Sequence, residues 1–434
     1  MDSKRNLFDA RGDADIERAI RDTLALIICD DPCANLGSLL ATRCKAALPF
    51  AGKYRLIDLA LSNCVNSGID LVGVITQYKP RSLYTHLSYG RPWDLDRRQG
   101  GLTLLHPYQG RSAINWYAGS ANAILQNWDY VRHHAPAHVL VLLGSQASTM
   151  DFAPLVAQHE RTEAHLTIVT AEAAQKTACR HHSVVSGEDG IVRELRLPGS
   201  GSAAGTTISG PFVFDAQVLQ ARLEEDDGDV SSAHDLVGDL TARMIAAGDR
   251  VLACPHAGYW NGLRTVHDYW QCGMDLVEQH PRLNLQDASW PIRTQPEIRP
   301  PTRVSGSARV AHSLIGEGCI IDGTIESSVL SPGVCIAPGA VVRHSVVMHD
   351  TSIEERAVVE HAILDMDVTV GPQAHVGRSG RQAPTVRRQV PIHLAVVGKG
   401  VHVPAHKVVV PNVPSGELIL TQSQQLTSDH ASLG

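Results

Sequence analysis

Two apolar periods divide the chain. From Leu24 to near Gly248, short apolar runs alternate with stretches whose apolar residues return at helical spacing. Leu24-Ala25-Leu26-Ile27-Ile28 is bounded by turn formers and reads as a buried first strand. Ile57 to Ser67 has the helical period, and Leu71 to Thr76 is a second buried strand. The rhythm continues with a helix over Ala121 to His133, a strand over His138 to Leu143, a helix over Phe152 to Glu160 and a strand over Ala164 to Ala171. A Gly/Ser/Ala-rich loop, Gly199 to Thr206, precedes a short strand at Phe212-Val213-Phe214. This order predicts an α/β domain on a parallel, doubly wound, Rossmann-like sheet with right-handed crossovers.

The second period begins after a proline-rich stretch. Ser289 to Thr294, followed by Pro300-Pro301, reads as an extended linker, because proline fixes φ and removes amide donors. From Leu314 the aliphatic residues Ile320, Ile325, Leu330, Ile336, Val341, Val347, Ile353 and Val358 recur every five or six positions, with Gly316, Gly318, Gly333 and Gly339 at turns. Neither an α-helix nor a two-residue alternation yields that spacing. A left-handed parallel β-helix of hexapeptide-like repeats does, each coil burying its aliphatics on the next. Arg378 to Gln389 interrupts it as a polar insertion, and Leu394 to Val410 resumes it. The expected division is an arm over 1–22, an α/β domain over 23–288, a linker over 289–304, a β-helix over 305–415 and a polar tail over 416–434.

Composition narrows the function classes. A chain of 434 residues accommodates two domains, and its net charge of -7 argues against a nucleic-acid surface. No apolar stretch is long enough to span a bilayer and the first residues are too charged for a signal peptide, so a cytoplasmic location is expected. Nine cysteines without a CxxC pair suit reduced core residues better than a metal site. The 22 histidines fall in no ligand spacing, and His133 and His134 suit the end of a helix, where imidazolium complements the dipole.

The most specific stretches are Arg43-Cys44-Lys45, Gly52-Lys53-Tyr54-Arg55-Leu56-Ile57-Asp58 with Leu61-Ser62-Asn63-Cys64, Gly73 to Tyr78, Asn115 to Ala123, Ser231 to Asp235 with Asp239-Leu240, and the Trp290 linker. Together they resemble the ADP-glucose pyrophosphorylase (glucose-1-phosphate adenylyltransferase) family, over roughly Leu24 to Val410. The resemblance implies the same architecture, a nucleotidyltransferase α/β domain joined to a β-helix. It also implies a remnant substrate pocket at Gln77, Asn115, Trp116, Tyr117 and Gly119.

The chain departs from the family where the chemistry would lie. The family's first strand runs into LAGGxGTRL, whose glycines let backbone amides approach the ATP phosphates and whose arginine neutralises them. Here Asp30 and Asp31 stand at the glycine pair, Cys33 at the third glycine and Asn35 at the arginine, while Pro32 removes an amide donor. A carboxylate about 4 Å from a phosphate charge costs roughly 4 kcal/mol at an effective dielectric of about 20. The family's two magnesium-binding aspartates, in its GDHxY and WRDVGT segments, correspond to Ser145 and Gly262. Its FVEKP segment corresponds to Leu195-Arg196-Leu197-Pro198. No catalytic residue, no metal and no cofactor are therefore expected, and Ser145, which has no motif-placed histidine beside it, reads as structural.

What the family resemblance leaves in place is a cationic segment. Arg43, Lys45, Lys53 and Arg55 match a stretch that in the family contributes to binding anionic effectors, and Gln77 and Trp116 match loop residues that couple such binding to catalysis. The expected function is a non-catalytic or weakly catalytic, regulatory or structural subunit in glycogen (ADP-glucose) synthesis. Its expected partners are a catalytically active homologous subunit and an anionic metabolite, in a tetramer that covers the apolar β-helix ends. An active sugar-phosphate nucleotidyltransferase with an altered site, and a stand-alone sensor of a phosphometabolite, are the alternatives.

Overall fold

The computed structural model describes residues 14–29, 34–107, 109–110, 113–114, 116–171, 181–198, 206–377, 394–409 and 417–420. Asp30, Asp31, Pro32, Cys33, Asn115, the insertion, most of the Gly/Ser/Ala-rich loop and most of the expected arm and tail lie outside these residues. The chain groups into two compact units that interleave along the sequence. Met1–Pro32, Ile57–Gly262 and Asp287–Arg293 form the first; Cys33–Leu56, Leu263–Gln286 and Thr294–Gly434 form the second. The expectation of contiguous domains thus missed two excursions, 33–56 and 263–286, which belong with the β-helical residues.

The first unit is built on a nine-stranded sheet. Its centre is parallel, in the order His138–Leu143, Thr23–Ile28, Leu71–Ile75, Gly101–Leu105. The first of these strands is buried along its whole length, which is why its sequence is continuously apolar. The remainder of the sheet is mixed rather than all-parallel. A ten-residue strand, Thr206–Asp215, runs antiparallel to His138–Leu143 and to Leu166–Ala171. It also pairs with one arm of the hairpin Ser183–Ser186/Val192–Arg196, and a hairpin connection permits antiparallel neighbours where a helix crossover would impose parallel ones. Leu24, Leu26, Val139, Val141, Phe212 and Phe214 lie in its core.

The helix expected over Ala121 to His133 is two helices, Ser120–Gln126 and Trp128–His134. Asn127 breaks it, since its side-chain amide donates to the Ala123 carbonyl at 2.8 Å and to Tyr117 Oη at 2.9 Å. On the helix Ala153–Arg161, His159 is buried, bonds Thr167 Oγ1 at 2.8 Å and meets His138 edge-on at 5.2 Å between ring centres. Burial, with a contribution from His138, pushes its pKa down to about 3.

The second unit contains three six-stranded parallel sheets, the faces of a left-handed β-helix. On two faces the short strands after the exposed first ones turn one aliphatic inward, as with Ile321, Ile336 and Ile353, or Ile325, Val342 and Val359. The third face differs. Its strands include Val329–Leu330, Val346–Val347 and Ala362–Leu364, and these are buried on both sides. Its outer side receives the two excursions. Gly273, on the helix Val266–Asp275, lies against Val346; Trp270 Nε1 donates to the His344 carbonyl at 2.7 Å; and Tyr269 Oη donates to the Pro49 carbonyl at 2.5 Å. The last strand of this face, Glu417–Leu420, pairs with Leu394–Val397, so these four residues of the expected polar tail are part of the β-helix. The end of the expected linker is likewise tied down: Arg299 grips Asp350 with two bonds, at 2.8 and 2.9 Å, and Thr302 Oγ1 donates to the Gly316 carbonyl at 2.6 Å.

Within this unit Arg43 and Asp365, both almost fully buried, form an ion pair at 2.8 Å. Removing one member of such a pair strands a charge, at a typical cost of about 3–5 kcal/mol, whereas an exposed pair contributes about 0–1 kcal/mol. Arg43→Ala is expected to destabilise the protein by about 3–5 kcal/mol in urea denaturation followed by circular dichroism. Lys53→Ala, which breaks the exposed Lys53–Glu317 contact at 3.5 Å, is expected to change stability by less than about 0.5 kcal/mol. Equal effects would contradict the assignment of Arg43 as an anchor.

His159 generates a pH prediction. It stays neutral in the fold while the unfolded chain takes up a proton below about pH 6.5. Its contribution is therefore present above pH 6.5 and is lost as pH falls toward 3, at up to about 1.4 kcal/mol per pH unit. Melting temperatures measured from pH 7.5 to 5 should fall less steeply for His159→Asn than for the parent chain, and parallel curves would refute this.

Candidate functional site

The parallel strands of the first unit end in line. Ile28 is in register with Ile75 and Leu143, and Ile75 with Leu105. The carboxyl edge of such strands is where open α/β sheets take ligands. Gln77 follows one of these strands and Ser145 another, with the Gly144 N–H donating to the Ile28 carbonyl at 2.9 Å.

Gln77 acts as a clamp. Its Oε1 accepts from the Tyr117 N–H and its Nε2 donates to the Tyr117 carbonyl at 3.5 Å. Tyr117 is buried while Trp116 beside it is 63% exposed, presenting an apolar ring to solvent. Gly119 meets the chain of another motif: a β-carbon there would lie 2.4 Å from both the Ala233 and His234 carbonyl oxygens. Close backbone approach therefore explains the glycine. Ser120 Oγ then donates to Asp235 Oδ2 at 3.2 Å and accepts from the Leu236 N–H at 2.8 Å, while Asp235 caps the following turn by accepting from Val237 and Gly238. Gly119-Ser120 and Ala233 to Asp235, from two motifs recognised separately in the sequence, thus pack as one assembly.

The two positions that match the family's metal aspartates flank a pair of short strands: Ala147–Ser148 pairs antiparallel with Trp260–Asn261, Ser145 lies in the turn two residues before the first, and Gly262 directly follows the second. Ser145 is buried and offers a hydroxyl; Gly262 offers no side chain. Neither supplies an anionic oxygen, so the residues present at these places do not fit a magnesium ion. Among the described residues, no group of three His, Cys, Asp or Glu side chains is arranged to hold a metal. Arg196, at the former sugar-phosphate segment, is paired with Glu194 at 3.0 Å.

Other motif residues in this unit hold their neighbours by hydrogen bonds. Asn63 donates to the Ser148 carbonyl at 3.0 Å and accepts from Trp290 Nε1 at 2.9 Å. Asp58 is fully buried against His86, whose Nε2 bonds its Oδ1 at 2.5 Å. The sequence reading did not find His181, whose ring stands edge-on to Trp260 at 5.0 Å between centres. No motif marked it.

The cationic segment belongs to the second unit, and its members differ. Asn35 is exposed. Arg43 is buried with Asp365, so it is not presented to a solvent anion as the sequence reading had it. Lys45 is also buried, in the short 3₁₀ turn Lys45–Ala47. Arg55 is partly buried and donates to the Ala47 carbonyl at 3.0 Å; Lys53 is about half exposed.

Comparison with known proteins agrees with this construction. Residues 35–279 match the nucleotidyl transferase family, and 301–384 match the GlmU-like C-terminal hexapeptide family. A glucose-1-phosphate adenylyltransferase of Clostridium perfringens is 37% identical over 331 residues, covering 76% of this chain and 85% of its own length. That of Acetivibrio thermocellus is 34% identical over 392 residues, covering 90% and 91%. That of Geobacillus stearothermophilus is 38% identical over 320 residues, covering 74% and 83%. With the mixed α/β sheet, the parallel β-helix and these matches in hand, the chain belongs to the glucose-1-phosphate adenylyltransferase family.

Proposed function

We propose that this chain is a regulatory and structural subunit, with little or no catalysis of its own, that assembles with an active homologue to make ADP-glucose for glycogen synthesis. The observation that carries the reading is the pairing of Ala147–Ser148 with Trp260–Asn261. Ser145 and Gly262 flank this pairing, at the places where the family resemblance puts the metal carboxylates, and neither supplies one. Asp30 and Asp31, in place of phosphate-binding glycines, add repulsion toward a triphosphate. The scaffold around these places is intact, with Asn63, Gln77, Tyr117, Gly119 and Asp235 all engaged. A subunit that serves by shape needs the scaffold and not the chemistry.

Regulation is the second half of the reading. Lys53 and Arg55 offer positive charge for an anionic metabolite, and the Arg55 guanidinium suits phosphate because it bonds its oxygens in pairs. Arg43 serves as the anchor that fixes this segment on the β-helix. An effector held there would shift the partner's affinity for substrate by about 5- to 150-fold in typical cases of coupling. The tetramer follows from the same logic: Val304, Val310 and Ile320 remain exposed in the first coils of the β-helix.

The purified chain is expected to form no ADP-glucose from ATP and glucose-1-phosphate above background. Turnover that is abolished by substituting a residue of this chain would reject the reading. Co-expressed with a homologue that carries an intact GGxGTRL loop, it should co-purify on a tag borne by one chain only. In that assembly, Lys53→Ala with Arg55→Ala in this chain should alter the effector response and leave the unstimulated rate within about twofold. An unchanged response across sugar phosphates, nucleotides and pyruvate would remove the regulatory half and leave a scaffold.

A further inference from the structure

The absence of a carboxylate at position 262 has a steric counterpart in this chain, which no motif reveals. A β-carbon built on the buried Gly262 would lie 2.8 Å from His181 Cε1 and 3.4 Å from Trp260 Cζ2. Real β-carbons do not approach other carbons as closely as 2.8 Å, because the repulsive wall is reached near 3.5 Å. His181 Cε1 is the end of a side chain, so the ring would have to turn aside, and its edge-on packing against Trp260 opposes that on one side. The backbone of Trp260 is in turn fixed by its pairing with Ser148. The space that an aspartate side chain would take is therefore filled by an imidazole.

We propose that His181 closes the cation position of this site, so that restoring the two aspartates alone would not make it fit a metal. The proposal deepens the reading of the chain as non-catalytic and rests on it only for its meaning; the steric claim stands or falls by itself. Three consequences follow in chemistry. An aspartate at 262 would have to displace His181 before its carboxylate could reach a cation. A protonated imidazole there would repel a divalent ion, and a neutral one would still occupy its room. Reversion to a metal site thus requires three changes, in which the His181 substitution is the permissive one.

The steric claim is read by a double-mutant cycle in the full-length chain. Gly262→Ala is expected to lower the melting temperature by about 4 °C or more, and by no more than about 1 °C when made in a His181→Ala background. Equal losses in the two backgrounds would overturn the proposal without touching the question of catalysis. The metal claim is read by Mn²⁺ titration, with calorimetry or electron paramagnetic resonance as the readout. Ser145→Asp with Gly262→Asp should bind Mn²⁺ no better than the parent chain, and adding His181→Ala should tighten binding by about tenfold or more. Equal affinity in these two variants, whether both bind or neither does, would show that His181 is not the obstacle. Should the charged variants fail to fold, the alanine cycle still decides.

Discussion

The second unit depends on one buried charge pair. Arg43 and Asp365 are far apart in sequence and are both removed from water, so each makes the other tolerable. Asp365 Oδ1 also accepts from the Met366 N–H at 2.7 Å, while its buried Oδ2 has no hydrogen-bond partner among the described residues, and burial pushes the carboxyl pKa up in spite of Arg43. Such a pair does little for net stability compared with an apolar filling of the same volume, but it specifies where the excursion 33–56 must sit. With that excursion in place, the third face of the β-helix is covered, Tyr269 finds the Pro49 carbonyl, and Lys53 and Arg55 are carried on the β-helical unit.

A second constraint separates what the chain has kept from what it has lost. The motif residues that persist are the ones whose side chains hold backbone: Asn63 on Ser148 and Trp290, Gln77 on Tyr117, Asp235 on the turn after it. The residues that have changed are those whose work in the family is to meet phosphate or metal. Loss of the first kind would leave buried polar groups unpaired, at about 1–3 kcal/mol each, and loss of the second kind leaves the fold untouched. That asymmetry would let a subunit of the proposed kind stay folded without the residues that meet phosphate or metal.

Much of this was legible in the sequence, and the parts that were not have physical causes. The buried strands and the six-residue period of the β-helix follow from apolar spacing alone, and they appear with nearly the expected bounds. The antiparallel strand Thr206–Asp215 was read only at Phe212-Val213-Phe214, because its first half, Thr206 to Pro211, includes Gly210 and Pro211 and carries no apolar run. The face formed by strands such as Val329–Leu330 and Val346–Val347 is buried on both sides, which a period counted from single aliphatic positions did not distinguish. At the candidate site, the absent carboxylates were visible by comparison with the family motifs. Arg43's partner was not, since Asp365 lies 322 residues away and a buried cation reads the same as an exposed one. His181 was invisible for the same reason: its role comes from contact with Gly262, which sequence spacing cannot express.

The central claim is that chemistry in a mixed assembly belongs to the partner. It is tested most directly by measuring ADP-glucose formation in a co-purified complex in which only the homologue's two metal-binding aspartates have been replaced by asparagine. The account predicts that activity disappears to background while the complex remains assembled. Substantial turnover by that complex, carried by the chain described here, would contradict it.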